Sequence, residues 1–158
     1  MKQILVMSDT HGRKAAIAAA LAQCPDTDCI IHLGDYAQDA AYARELTDKS
    51  VYGVRGNCDL TVGAPAELEL NFEGVRIVAV HGHQQSVKTS LLRLGLYALE
   101  KQANVVLFGH THVPTEQFYE NVTLYNPGSL GEPRGRKPTF GVIIIDAGTF
   151  QIKTHTIG

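Results

Sequence analysis

Val105-Val106-Leu107-Phe108-Gly109-His110-Thr111-His112 decides how this chain is read. An apolar run ends at a glycine, and two histidines follow at once. Four more clusters repeat the pattern upstream: Asp9-Thr10-His11, Gly34-Asp35, Gly56-Asn57-Cys58-Asp59 and His81-Gly82-His83. Each comes after a short apolar segment, which places all five at the carboxyl ends of strands. Oxygen and imidazole groups distributed in this way through a small domain can meet at one centre.

The apolar runs supply the frame. Ile4 to Met7, Cys29 to Leu33, Ile77 to Val80, Val105 to Phe108 and Val142 to Ile145 read as strands buried on both faces. Residues 67–72 alternate polar and apolar like a half-exposed strand, and Glu73-Gly74 turns it into the next one. Residues 151–157 alternate as well. Ile17, Ala20, Leu21 and Cys24 make one apolar helical stripe, closed by Pro25. Val87, Leu91, Leu94 and Ala98 make another, read as core, and Tyr42 with Leu46 marks a short helix between the two. Strand-helix alternation followed by a strand-rich second half predicts an α/β layered fold, with early parallel pairs and later antiparallel hairpins. No repeat, low-complexity tract or linker interrupts it, so residues 1–158 are expected to form one domain.

Composition narrows the function classes. At 158 residues and 44% hydrophobic, the chain suits one compact core. A net charge of -2 does not suggest a nucleic-acid-binding surface, and the one basic cluster, Arg134-Gly135-Arg136-Lys137, is short. No apolar run approaches the roughly 20 residues that span a bilayer, and the start carries no signal-peptide pattern. Three cysteines, Cys24, Cys29 and Cys58, lack CxxC spacing and suit a reducing, cytoplasmic setting.

Asp9 and His11 are two residues apart, as are His110 and His112. In extended backbone such pairs face one way, leaving Thr10 and Thr111 pointing elsewhere. Asp35, with two oxygens, can bridge two metals. Asp9, His11 and one of His110/His112 would complete the first site. Asn57, His81 and the other histidine would complete the second. Two divalent cations against two carboxylates leave about two net positive charges, which suits a phosphate. Metals roughly 3.5–4 Å apart clamp an in-line displacement and supply hydroxide near neutral pH, with no serine or cysteine nucleophile required. These residues point to a two-metal phosphoesterase.

The order DxH, GD, GN, GH and GHxH resembles the calcineurin-like metallophosphoesterase superfamily. Gly56-Asn57-Cys58-Asp59, His81-Gly82-His83 and Asn126-Pro127-Gly128-Ser129 are similar to its small prokaryotic phosphodiesterase branch. The resemblance implies two mixed β-sheets packed as a sandwich flanked by helices, the four-layer αββα metallophosphoesterase fold. It implies Asp9, His11, Asp35 and His112 for one metal, and Asp35, Asn57, His81 and His110 for the other. Mn is expected to support activity, and Fe, Zn, Ni or Co also suit these donors. The expected reaction is hydrolysis of a small phosphodiester by in-line attack of a metal-bound hydroxide. Asn57, Cys58 and His83 are candidates to assist it, and Cys58, His83 and Arg134 are candidate substrate contacts, against a space-filling role for Cys58 and a solvated-loop role for Arg134.

One position departs from the family pattern. Many members carry histidine after the Gly-Asn, and here it is Cys58. A thiol donates a proton less readily near pH 7 than imidazolium does, so diesters with good leaving groups are expected. Two rival readings remain: a phosphomonoesterase with the same centre, and a non-catalytic scaffold like the superfamily member of the eukaryotic retromer coat, which has lost part of the ligand set that this chain keeps. His32, inside an apolar run, reads as a hydrogen-bonded core histidine.

Overall fold

A computed structural model describes residues 1–36, 38–59, 64–134 and 136–157. Gly135, inside the basic cluster, lies outside them. Sheet A runs in the order β10 (Thr149–Thr156), β9 (Thr139–Asp146), β1 (Lys2–Met7), β2 (Cys29–His32), β3 (Ser50–Gly53). Sheet B runs β4 (Glu67–Phe72), β5 (Val75–Val80), β6 (Val105–Leu107), β8 (Val122–Asn126), β7 (Thr115–Tyr119). Both are mixed. β1, β2 and β3 are parallel, as are β5, β6 and β8, and the outer strands β9, β10, β4 and β7 pair antiparallel.

Alternation along each central strand sorts side chains into three apolar layers. Ile4, Val6 and Ile31 of sheet A meet Ile77, Ala79 and Leu107 of sheet B in the inner layer. Leu5, Met7 and Ile30 face outward onto Ile17 and Ala20 of α1 (Lys14–Gln23) and Ala40 and Ala43 of α2 (Gln38–Leu46). Val78, Val80, Val106 and Phe108 face the other way, onto Leu94 and Ala98 of α3 (Leu92–Glu100). The result is the expected αββα sandwich. Strands covered on both faces have no polar side to display, and their sequences therefore read as unbroken apolar runs.

The structure adds to the sequence reading and alters one boundary. β3, β7 and β8 were not legible as strands. α3 begins at Leu92 rather than near Val87, because Ser86 adopts a left-handed φ of 55° at the end of a short 3-10 turn, His83–Gln85. Val87 is still buried, but Leu92, Leu96 and Leu99 are exposed on the opposite face of α3. The Glu73-Gly74 turn forms as expected, with φ of 48° and 88° joining β4 to β5. Among the described residues no helix is long and apolar enough to cross a membrane.

Candidate metal centre

The carboxyl ends of the parallel strands of both sheets open onto one place. β1 delivers Asp9 and His11, β2 delivers Asp35, and the segment after β3 delivers Asn57. From sheet B, β5 delivers His81 and β6 delivers His110 and His112. Two groups of candidate donors result, Asp9/His11/Asp35/His112 and Asp35/His81/His110, each with its ligand atoms within 4.8 Å of one another. Asp35 belongs to both. Its Oδ2 lies 3.9 Å from His11 Nε2, and its Oδ1 lies 3.5 Å from His81 Nε2.

The route to this convergence differs from the extended-strand argument. Asp9, His11, His110 and His112 all have positive φ, between 46° and 72°, and sit in loops beyond the strands. Asp9 and His11 do share a group, whereas His110 and His112 separate into different ones. Thr10 points away, as expected: its hydroxyl donates to Asp39 Oδ2 at 2.5 Å and lies 2.8 Å from His32 Nε2. Gly56 and Gly109 are required by proximity rather than by turn geometry. A Cβ on Gly56 would collide with the Asp35 carboxylate, and one on Gly109 would collide with Ser8 and approach Asp9 Oδ2 to 2.8 Å.

Hydrogen bonds fix which imidazole nitrogen faces the centre. His81 Nδ1 lies 2.7 Å from the Leu33 carbonyl, which only accepts, so Nδ1 carries the proton. Its Nε2 is turned to Asn57 Oδ1 at 3.1 Å and to Asp35 Oδ1. His112 repeats the device: Nδ1 donates to the Glu132 carbonyl at 2.7 Å, and Nε2 faces Asp9 Oδ1 at 3.3 Å. Lone pairs thus point at lone pairs. Asp9 Oδ1 and His11 Nε2 are buried without a hydrogen-bond partner among the described residues. A buried polar atom without a partner is costly, and cations held among these atoms would satisfy them. The donor set, two carboxylates, an amide oxygen and four imidazoles, fits divalent transition metals.

Burial opposes the charge on His81, but Asp35 and Asp9 raise its pKa, and the neighbouring Asp9 carboxylate raises that of His112. Burial also works against the Asp35 carboxylate, yet His81 and the Cys58 N–H hold it well below the usual carboxylate range. His110 shifts down to about 4, through burial first and then the His81 charge.

Of the substrate candidates, Cys58 is exposed on the His81 side, and its N–H donates to Asp35 Oδ1 at 3.1 Å. Desolvation and then the Asp35 charge push its thiol up. His83 lies on the same flank, its ring centre 5.4 Å from that of His81. Arg134 is exposed in the loop after β8, and Arg136 is exposed there too.

Several supporting residues carried little sequence signal. Asn126 Nδ2 donates to Gly109 O at 3.1 Å and to Thr111 Oγ1 at 3.0 Å, while its Oδ1 accepts from Gly128 N. Ser129 Oγ donates to Asp9 O at 2.8 Å, and Ser8 donates to Asp9 Oδ2. Asp39 is buried and anchors Thr10 and the Gly12 N–H. Only the Asn-Pro-Gly-Ser motif had been singled out, as part of the resemblance.

The sequence profile of the calcineurin-like phosphoesterase superfamily domain matches residues 1–148. Probable metallophosphoesterase YsnB of Bacillus subtilis is 32% identical over 135 residues, 85% of this chain and 78% of its own length. Phosphodiesterase YfcE of Escherichia coli K12 is 28% identical over 170 residues, covering 90% and 88%. A Streptococcus pneumoniae crystal structure described as a predicted phosphoesterase superposes with a TM-score of 0.79 at 28% identity, covering 98% of this chain and 89% of the other. A single mutant of Vps29 from Entamoeba histolytica also reaches 0.79, at 20% identity and 99% of each chain, a likeness of fold. Profile match, relatives and centre agree: this chain belongs to the calcineurin-like phosphoesterase superfamily.

Proposed function

We propose that the chain is a metal-dependent phosphodiesterase acting on a small phosphodiester. Asp9, His11, Asp35 and His112 hold one divalent cation, and Asp35, Asn57, His81 and His110 hold the second. The observation that carries the reading is the set of acceptor atoms aimed at one another without donors, Asp9 Oδ1 and His11 Nε2 above all. When bound, the cations supply Lewis acidity to the phosphoryl oxygens and make water a nucleophile at neutral pH. Mn is the expected activating metal, two ions per chain.

The chain's own groups do the rest. The Leu33 and Glu132 carbonyls hold His81 and His112 in the tautomers that present Nε2 to the cations. Asn57, Cys58 and His83 assist on the His81 flank, where Cys58 and His83 meet the ester and the departing oxygen. Arg134 contacts the phosphate from the loop after β8. The diester preference draws on the likeness to Phosphodiesterase YfcE. Residues 1–158 act as one domain, and three unpaired cysteines suit the cytoplasm.

The test is hydrolysis of bis(4-nitrophenyl) phosphate by chelator-stripped protein, before and after Mn is added. Turnover restored by Mn, and faster than on 4-nitrophenyl phosphate, is expected. Faster monoester turnover replaces the reading with a phosphomonoesterase. No turnover with metal bound leaves the scaffold role, for which the Vps29 likeness supplies the fold alone.

A further inference from the structure

Beside the His11 flank of the centre lies a cleft of about 650 Å³, within the range of pockets that enclose small organic ligands. Its walls are mainly apolar: Ala16 of α1, Leu130, Pro133 and Pro138 of the loop after β8, and Ile157 beyond β10. Ile157 is held there by its N–H, which donates to Pro138 O at 3.0 Å.

Two residues join the cleft to the centre. Glu132 lines it, while its carbonyl accepts from His112 and its carboxylate lies 3.9 Å from His11 Nδ1. Gly131, also in the lining, donates its N–H to Asp9 O at 3.1 Å. At the rim stands Arg13, whose guanidinium makes no hydrogen bond or ion pair among the described residues. Lys14 is otherwise engaged, its ammonium 5.0 Å over the Tyr42 ring. A free guanidinium beside an apolar slot is suited to stacking on a flat π-system.

We propose that this cleft is the subsite for one ester arm of the substrate, that the arm is planar and aromatic, and that it is the arm that stays on phosphorus. The inference rests on the phosphodiesterase reading above. Cys58 and His83, which meet the departing oxygen, lie on the opposite flank with Asn57 and His81, which leaves the His11 flank to the other arm. Phosphate at the centre and an aromatic arm in the cleft describe either an aryl diester or a nucleoside diester with its base inserted.

The experiment compares three diesters that share a 4-nitrophenyl leaving group and differ in the other arm: methyl, phenyl and thymidine-5′. Wild-type protein with Mn is expected to favour phenyl or thymidine over methyl by at least tenfold in kcat/KM. Which of the two wins identifies an aryl or a nucleoside arm. In Ala16→Phe, which fills the slot, that ratio is expected to fall at least tenfold, mostly through KM, and in Arg13→Ala about threefold. A ratio that neither variant moves overturns the subsite.

Loss in Ala16→Phe through misfolding is separated by Arg13→Ala, whose side chain is exposed. It is separated further by NMR of metal-stripped wild-type protein titrated with thymidine 5′-monophosphate and with phenyl phosphate. Shifts at residues 15–17, Gly131 and Ile157 with either probe are expected. Shifts confined elsewhere, or none at millimolar probe, overturn the proposal. If wild-type protein hydrolyses none of the three diesters, the phosphodiesterase reading fails, whereas NMR shifts at the cleft still register the subsite.

Discussion

Asp35 is the residue on which both donor groups depend, because one carboxylate oxygen faces His11 and the other faces His81. Asp35→Asn keeps the volume and removes the charge. Bound Mn, counted by elemental analysis, is expected to fall below two per chain, and kcat/KM at least roughly 100-fold, since loss of even a supporting group costs 10–100-fold. Cys58 makes a second prediction. Its thiol, pushed up by desolvation and the Asp35 charge, is a weak acid at neutral pH. Cys58→His is therefore expected to speed diesters with poor leaving groups more than those with 4-nitrophenolate, by 10-fold or more. A plot of rate against leaving-group pKa that keeps its slope in the variant sinks this account. At this scale the sequence was nearly sufficient, since residue types name their own chemistry. It misled only on backbone. An i, i+2 pair faces one way only in extended chain, whereas Asp9, His11, His110 and His112 all adopt left-handed φ values.

The elements hold the donors through buried polar contacts at the strand ends. His32 at the end of β2 is fully buried and hydrogen-bonded, the core histidine expected from its apolar neighbours. Its Nδ1 accepts from the Gly34 N–H at 3.1 Å, so its Nε2 donates to Thr10, which in turn donates to Asp39. Burial lowers its pKa to about 4. In the unfolded chain an imidazole takes up its proton near pH 6.5, so between these values protons favour unfolding. This contribution is complete above about pH 6.5 and is lost as pH falls toward 4, up to roughly 3 kcal/mol at about 1.4 kcal/mol per pKa unit. Urea melts of metal-free wild type and His32→Gln across pH 7 to 4 check it, and the wild type is expected to lose more stability than the variant. Asn126, closing β8, offers a parallel case. Asn126→Ala strips donors from two acceptors of the His110 loop and the acceptor from Gly128 N. A loss of roughly 3 kcal/mol is expected, read as a fall in Tm of about 6–12 °C. Elements were less legible than residues. β8 is buried throughout, yet Thr123, Tyr125 and Asn126 disguise it as polar, because Tyr125 spends its hydroxyl on Thr154. β7, an edge strand with exposed Glu116, Gln117 and Phe118, has no buried face to give it a pattern.

Across the whole molecule, the candidate donors divide between the sheets. Asp9, His11, Asp35 and Asn57 follow strands of sheet A, and His81, His110 and His112 follow strands of sheet B. Hydrogen bonds already join the two halves at this edge: His110 N donates to Asp9 Oδ2 at 3.1 Å, Gly131 N to Asp9 O at 3.1 Å, and His81 Nδ1 to Leu33 O at 2.7 Å. A pair of cations coordinated from both sides would add a further staple to the sandwich along this edge. Because the two halves of the donor set are brought together only by folding, metal is expected to bind the native state in preference to the unfolded chain. Free Mn at 100 times its dissociation constant then adds about 2.7 kcal/mol per site. Chelation is expected to lower Tm and to raise hydrogen exchange at residues 8–12, 33–36 and 109–113, while the far end of the sandwich, at the β4–β5 turn, stays unchanged. If the strand-end loops exchange at the same rate with and without Mn, the cations do not join the sheets. Asp35→Asn, with its shared ligand lost, is expected to keep only part of the Mn-dependent rise in Tm, which ties the stability of the sandwich to the same carboxylate that ties its two metal groups together.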